Sequence, residues 1–170
     1  MLSYARAAYA HFNTDDALKL DAVNALIGND YDNASKPDMT VAPLKPAENR
    51  GFDEVTVNLG AVPSFRFYLS DGYDASDFAF TLGGEYVDIK EGSNEKGDYI
   101  ELVVYAYRMC DTVSYTVTVE DTVYTEYFNI YSYYAYVLEN CANDAELITL
   151  VERICKYSES AEAYRAYVVG

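Results

Sequence analysis

The chain has 170 residues, of which 28 are Asp or Glu and 12 are Lys or Arg, so its formal net charge at pH 7 is −16. A surface this negative repels phosphate backbones and anionic lipid headgroups, which argues against nucleic acid or a membrane surface as a partner. No stretch reaches the roughly 18 apolar residues of a spanning helix, so membrane insertion is not expected. Hydrophobic residues make up 51% of the chain, enough to bury the core of one domain and too many for a disordered acidic tail.

Two helices are predicted in the N-terminal segment, residues 1–28. Five apolar residues at helical spacing mark the first helix, namely Leu2, Ala5, Ala8, Tyr9 and Phe12. The second follows Thr14, a candidate cap, and ends at Gly28. Because no capping residue precedes the first helix, we expect the module to be part of a longer multidomain chain. Residues 29–50 contain three of the four prolines, which predicts an irregular connection.

Between residues 51 and 128 the apolar period changes to two, which predicts β-strands. The Gly83-Gly84 pair suits the two-residue turn of a β-hairpin, and such a turn would pair Phe80 with Val87. The alternating segments are joined by short turns with no helix between them. This arrangement is typical of antiparallel sheets packed in a sandwich.

Three further strands are expected toward the end of this region. One covers residues 99–108, and residues 112–119 and 122–128 form a second hairpin. The turn of this hairpin, Glu120-Asp121, lacks glycine, so we expect a loop longer than two residues. In total the pattern predicts about seven strands.

The last segment, residues 129–170, returns to helical spacing and predicts a helical hairpin. Asn143 and Glu146 form a capping-box pattern before the final helix, which runs to about Tyr167. The first and last helices both contain runs of tyrosine and small residues, so we expect them to pack together. The predicted fold is α+β, a single module over residues 1–170 in which an antiparallel β-sandwich of about seven strands is flanked by N-terminal and C-terminal helices.

Several runs together carry a resemblance to known proteins. In chain order they are Leu2-Ser3-Tyr4-Ala5, Phe65-Arg66-Phe67-Tyr68, Gly97-Asp98-Tyr99, Tyr115-Thr116-Val117-Thr118-Val119, Tyr131-Ser132-Tyr133-Tyr134 and Tyr157-Ser158-Glu159-Ser160-Ala161. Over nearly its whole length the chain resembles a tyrosine-rich module of large secreted or cell-surface proteins of Gram-positive gut anaerobes. The family commonly has glycine after the helix tyrosine, where this chain has Ala5 and Ser158. The resemblance implies a secreted or cell-surface location beside glycan-active or immunoglobulin-like domains, and it supplies no catalytic residues.

Tyrosine is the main candidate for ligand contact, because the chain contains 19 tyrosines and no tryptophan. One face of the predicted strand over residues 99–108 carries Tyr99, Glu101, Tyr105 and Tyr107, opposite an aliphatic face that we expect to lie in the core. Tyrosine rings can stack on sugar rings, and Glu101 can bind sugar hydroxyls. The alternative is that these rings pack beneath the helices. The candidate ligand-binding residues are Tyr73, Tyr86, Tyr99, Glu101, Tyr105 and Tyr107.

An acidic loop offers the oxygen ligands that calcium prefers, from Asp71, Asp74 and Asp77. The loop does not follow the EF-hand pattern, and a solvated acidic turn is the plainer interpretation. Structural calcium is therefore the one cofactor that the sequence suggests. The three cysteines, Cys110, Cys141 and Cys155, are odd in number and lack CxxC spacing, so we expect small buried side chains rather than disulfides or a zinc site.

Catalysis is not expected, because His11 is the single histidine and the sequence lacks phosphate-binding, nucleophile-elbow and metallopeptidase motifs. Carboxylates are numerous, but no feature singles out a pair for glycoside hydrolysis. We therefore expect a non-catalytic extracellular module that binds polysaccharide through surface tyrosines. The alternative is a structural spacer, or an adhesion module that contacts another surface protein.

Overall fold

The computed structural model describes residues 50–59 and 62–169, and these ranges contain eight strands and two helices. The strands are β1 (Phe52–Asn58), β2 (Ser64–Leu69), β3 (Phe78–Leu82), β4 (Glu85–Tyr86), β5 (Lys90–Asn94), β6 (Gly97–Val103), β7 (Val113–Val119) and β8 (Thr122–Phe128). The helices are α1 (Ile130–Asn140) and α2 (Ala145–Val169). Short 3-10 turns cover Ala75–Asp77 and Ala106–Arg108. The fold is α+β, as the sequence predicts.

The strands form two antiparallel sheets of four strands each. The first sheet has the order β1-β2-β6-β5 and the second has the order β4-β3-β7-β8. Aromatic side chains from the two inner faces meet in one core. The ring centroids of Phe67 and Phe80 are 5.1 Å apart, and those of Phe52 and Phe78 are 4.3 Å apart. The two sheets therefore pack on each other as in a β-sandwich.

Alternation along the strands decides which side chains enter this core. In β6, Ile100 and Leu102 are fully buried, whereas Tyr99 and Glu101 lie on the outer face at partial exposure. The aliphatic side of the predicted strand is therefore the core side, as expected. Strand β5 is the exception to the pattern, because its sequence has no apolar alternation. It pairs with β6, and its Asn94 side chain donates a hydrogen bond to the Tyr68 hydroxyl of β2 at 3.0 Å.

The two hairpins differ from expectation in different ways. Gly83 and Gly84 both have positive φ and bring Leu82 opposite Glu85, which is the predicted register, but β4 ends at Tyr86 before a Phe80–Val87 pair can form. In the second hairpin Val119 pairs with Thr122, so the loop has only two residues. The expectation of a longer loop was wrong, because Glu120 and Asp121 adopt φ values of 47° and 65° despite their side chains. A primed turn matches the twist of the flanking strands, and that match outweighs the local preference.

The prediction of one strand over residues 99–108 was also wrong in its second half. Strand β6 ends at Val103, and the chain turns into the 3-10 segment at Ala106. Arg108 holds this turn in place. Its Nη2 donates to the carbonyl oxygen of Leu82 at 2.9 Å, and its Nε donates to Asp111 Oδ2 at 2.7 Å. Strand alternation cannot reveal a long-range anchor of this kind.

The helices begin at side-chain caps. The Asn129 side chain accepts a hydrogen bond from the Ser132 backbone N–H at 3.0 Å at the start of α1. At the start of α2, Asp144 Oδ1 accepts from the Leu147 N–H at 2.9 Å, so the cap is Asp144 and not the predicted Asn143. The two helices are tied together where the Tyr134 hydroxyl donates to Glu152 at 2.6 Å.

The predicted N-terminal helices of residues 1–28, most of the connection over 29–50, and the packing of the first helix on the last lie outside the described residues. The helical hairpin expected over residues 129–170 corresponds to α1 and α2.

Candidate functional site

The tyrosines proposed for ligand contact lie in four separate places. Tyr73 is half-buried, with its ring centroid 5.9 Å from that of Phe78, whereas Tyr86 on β4 is 86% exposed. Tyr99 lies with Glu101 on the outer face of the first sheet, and Tyr105 and Tyr107 lie together beside α2. A single platform of these residues is therefore not formed.

The Tyr99 ring is covered by its neighbours. It lies over Gly92 of the adjacent strand, where an added Cβ would come within 2.5 Å of the Tyr99 ring. The Arg66 guanidinium lies 4.7 Å from the ring centroid, and the Tyr68 ring lies 5.5 Å away. These contacts lie on the first sheet itself, and not beneath the helices as the alternative prediction has it.

Glu101 is engaged by the protein's own side chains. Its Oε1 accepts hydrogen bonds from Ser64 Oγ at 2.7 Å, Arg66 Nε at 2.9 Å and Asn58 Nδ2 at 3.2 Å. The hydrogen bond from Ser64, together with those from Arg66 and Asn58, holds the pKa of Glu101 below its ordinary value. Glu101 therefore organises the outer face of the first sheet.

Tyr105 and Tyr107 form the most open aromatic pair among these candidates. Their ring planes are parallel within 2°, and the centroids are 5.9 Å apart, which is an offset stack. Tyr105 is 57% exposed. The Arg165 guanidinium of α2 lies 4.4 Å from the centroid of the Tyr107 ring. The 3-10 turn that ends the strand thus aims both rings at α2 and away from the sheet face.

Between this turn and α2 lies a cleft of about 610 Å³, which we call the tyrosine cleft. Its walls are Tyr105 and Tyr107 on one side and Tyr157, Tyr164, Arg165 and Val168 of α2 on the other. The lining is mainly apolar. Four tyrosine rings around one open cleft can present both faces and edges to a flat, partly apolar ligand.

A smaller polar pocket of about 380 Å³ adjoins the tyrosine cleft and shares Tyr107 and Arg165 with it. The charged side chains of this pocket are Arg108, Arg165 and two carboxylates. Asp111 accepts a hydrogen bond from Arg108 at 2.7 Å, and Glu85 Oε2 lies 3.6 Å from Arg108 Nη1. The hydrogen bond to Asp111 raises the pKa of Arg108 above its ordinary value, so the guanidinium stays charged.

Asp74 and Asp77 of the acidic loop form a capping box at the 3-10 turn over Ala75–Asp77. Asp74 accepts hydrogen bonds from the backbone N–H and hydroxyl of Ser76, and Asp77 Oδ2 accepts from the Asp74 N–H at 2.9 Å. Asp71 is exposed beside them. Within residues 50–59 and 62–169, no group of three His, Cys, Asp or Glu side chains is arranged to hold a metal ion. Calcium binding by Asp71, Asp74 and Asp77 stays a prediction.

All three cysteines are free thiols. Cys155 is fully buried, whereas Cys110 and Cys141 are half-buried. Burial raises the pKa of Cys155 and of Cys110, which keeps both thiols protonated and poorly nucleophilic at neutral pH.

The cleft residues of α2 were not among the sequence candidates. Tyr157, Ala161 and Tyr164 do belong to the apolar stripe that the helical spacing predicts. The apolar stripe continues beyond the buried part of α2 into the exposed residues near its C-terminal end. The buried residues of the helix include Leu150, Val151, Ile154, Cys155 and Ser158. An apolar stripe longer than the core it serves is the signal that marks these residues.

No family model matches the sequence, and comparison with curated proteins and with solved structures likewise finds no match. Neither helix in the described ranges combines the length and hydropathy that crossing a membrane requires. The candidate site therefore rests on its own geometry.

Proposed function

We propose that this chain is a non-catalytic module of a larger secreted or cell-surface protein and that it binds polysaccharide in the tyrosine cleft. The observation that carries the proposal is the parallel pair formed by the exposed Tyr105 and the half-buried Tyr107, opposite the tyrosines of α2. The resemblance to modules of gut anaerobes supports the extracellular setting.

Sugar rings have apolar faces and polar rims, and the two adjoining pockets match this division. An aromatic ring stacks on the apolar face, while hydrogen-bonding groups at the edge fix the orientation. In the polar pocket, Glu85 and Asp111 offer acceptors for sugar hydroxyls beside the shared Tyr107. A chain of sugar units can therefore lie on the exposed ring of Tyr105, which Tyr107 and Arg165 support, with its hydroxyls directed toward this pocket.

Native affinity electrophoresis through a panel of plant and host polysaccharides tests the proposal. We expect one class of polysaccharide to retard the wild-type protein. The double variant Tyr105→Ala/Tyr107→Ala should lower its affinity about tenfold, because it removes the stacking ring and the ring that supports it. Tyr136→Ala is the matched control, because Tyr136 is 49% exposed on α1 and does not line the cleft. Retardation that is unchanged in the Tyr105 and Tyr107 variants would place the binding site elsewhere.

A protein-docking role is the second candidate, and the exposed end of α2 favours it. Tyr164, Tyr167 and Val168 are all more than 60% exposed along the last turns of the helix. Exposed apolar side chains in one patch are typical of interaction surfaces. If no polysaccharide retards a wild-type protein that unfolds cooperatively, the spacer or adhesion role becomes the better account.

A further inference from the structure

The outward face of the second sheet carries hydroxyl groups between two exposed tyrosines. In the sheet register, Tyr86 pairs with Thr81, Thr81 with Ser114, and Ser114 with Tyr127, so these residues form one row across the four strands. Tyr86 and Tyr127 are 86% and 45% exposed. Between them Thr81 Oγ1 lies 2.6 Å from Ser114 Oγ. Because neighbouring strands are about 4.8 Å apart, the tyrosine backbones are about 14 Å apart.

Two further rows continue the same surface along the strands. Ala79 pairs with Thr116 and Thr116 with Thr125, and in the next row Thr118 pairs with Val123. Ala79, Thr118, Val123 and Thr125 are exposed, and Thr116 is half-buried. We call the surface formed by these three rows the hydroxyl face.

None of the side chains in the three rows is charged, although the chain has a net charge of −16. The carboxylates of the same strands occupy the other side of the sheet, where Glu126 pairs with Arg50 at 2.8 Å and Glu85 lies 3.6 Å from Arg108. The outer face of the first sheet is different, because it carries Glu54, Arg66 and Glu101. The hydroxyl face is thus an uncharged surface on a strongly acidic module.

We infer that the hydroxyl face is a second binding surface and that its ligand is a neutral, extended polysaccharide. An uncharged ligand can cover this surface without leaving a buried charge unpaired. The exposed Thr118 and Thr125 hydroxyls can donate hydrogen bonds to sugar hydroxyls and accept them. The Thr81 and Ser114 hydroxyls hydrogen-bond to each other, which leaves one donor and further acceptor positions for a ligand. The two flanking tyrosines provide stacking surfaces, and a single sugar unit is too short to contact both, so the ligand is an extended chain of sugars.

The composition of the hydroxyl face favours a carbohydrate ligand over a protein partner. Protein interfaces draw most of their binding energy from large side chains buried near the centre of the contact. Here the centre holds Thr81, Ser114 and Thr116, and the two tyrosines lie at the margins. A flat polar centre between aromatic margins fits a carbohydrate chain better than a protein surface.

Depletion from solution by insoluble neutral polysaccharides tests the inference, with microcrystalline cellulose, insoluble mannan and starch granules as probes. We expect at least one probe to bind the wild-type protein and the double variant Tyr86→Ala/Tyr127→Ala to weaken binding about tenfold. Thr116→Glu should weaken it similarly by placing a charge at the centre of the face. Tyr136→Ala controls for general loss of surface tyrosine, and thermal unfolding checks that each variant folds.

Three results would overturn the inference. The first is that the wild-type protein binds none of the neutral probes. The second is that neither hydroxyl-face variant changes binding, and the third is a solution dimer that Thr116→Glu dissociates. The last result would mean that a second copy covers the face. Tyr105→Ala separates this surface from the tyrosine cleft, because Tyr105 is not in the three rows of the hydroxyl face. In the Tyr105→Ala background, Tyr86→Ala/Tyr127→Ala should still weaken binding to the insoluble probes about tenfold.

Discussion

Glu101 shows how one carboxylate can organise a sheet face. It was expected to orient sugar hydroxyls, but its Oε1 already accepts hydrogen bonds from Ser64, Arg66 and Asn58. Sequence alternation correctly placed Glu101 on the outer face. Alternation could not show that Glu101 is hydrogen-bonded within the protein, because two of the three donors lie on β2 and the third lies on β1.

We predict that Glu101→Gln lowers the free energy of unfolding by about 1–2 kcal/mol at pH 7, because charge-assisted hydrogen bonds are lost. The folded pKa of Glu101 is depressed, so its contribution is present above the unfolded pKa of about 4.3 and is lost as the pH falls through the folded pKa. Urea unfolding across this range should show the wild type and variant converging at low pH.

Glu54→Gln is the matched control, because Glu54 lies on the same face in an ion pair with Lys96 whose two side chains are about half exposed. Exposed pairs contribute at most about 1 kcal/mol. An effect of Glu101→Gln no larger than that of Glu54→Gln at pH 7 would contradict the assigned role.

At the scale of elements, the turn between β7 and β8 holds two non-glycine residues at positive φ, Glu120 and Asp121. This conformation costs about 1–2 kcal/mol per ordinary residue. We predict that Glu120→Asn with Asp121→Gly raises the free energy of unfolding by about 1 kcal/mol, because Asn-Gly is the preferred sequence for this turn. Thermal unfolding measures the change.

Gly84→Ala in the other hairpin should have the opposite effect and lower the free energy of unfolding. Gly84 has φ +86° with open space around it, so backbone strain alone would cause the loss. A lower melting temperature for the Asn-Gly variant would show that the β7–β8 turn does not limit stability.

Element boundaries were predictable only where the cause is local. Gly83-Gly84 indicated its turn and register, and helical spacing indicated α1 and α2. The end of β6 at Val103 depends on Arg108 reaching Leu82, 26 residues away in the chain, and no local pattern contains that contact. The same anchor turns Tyr105 and Tyr107 from a predicted strand face toward α2.

At the scale of the whole molecule, the sequence predicted the α+β class and the core side of the strands. It also placed Tyr99, Tyr105 and Tyr107 on one strand face, whereas β6 ends at Val103 and only Tyr99 lies on it. Alternation assigns residues to faces, and it cannot report that α2 runs past the core beside a 3-10 turn. The tyrosine cleft exists because the half-buried Tyr157 and the exposed Tyr164 of α2 lie opposite Tyr105 and Tyr107.

Mapping tyrosine nitration by mass spectrometry, with and without the polysaccharide that retards the protein, tests the account most directly. In the free protein we predict rapid modification of Tyr105 and Tyr136, both exposed, and protection of the buried Tyr115 and Tyr134. Saturating polysaccharide should protect Tyr105 and leave Tyr136 unchanged. A Tyr105 that resists nitration in the free protein, or that stays equally reactive with ligand bound, would contradict binding in the tyrosine cleft.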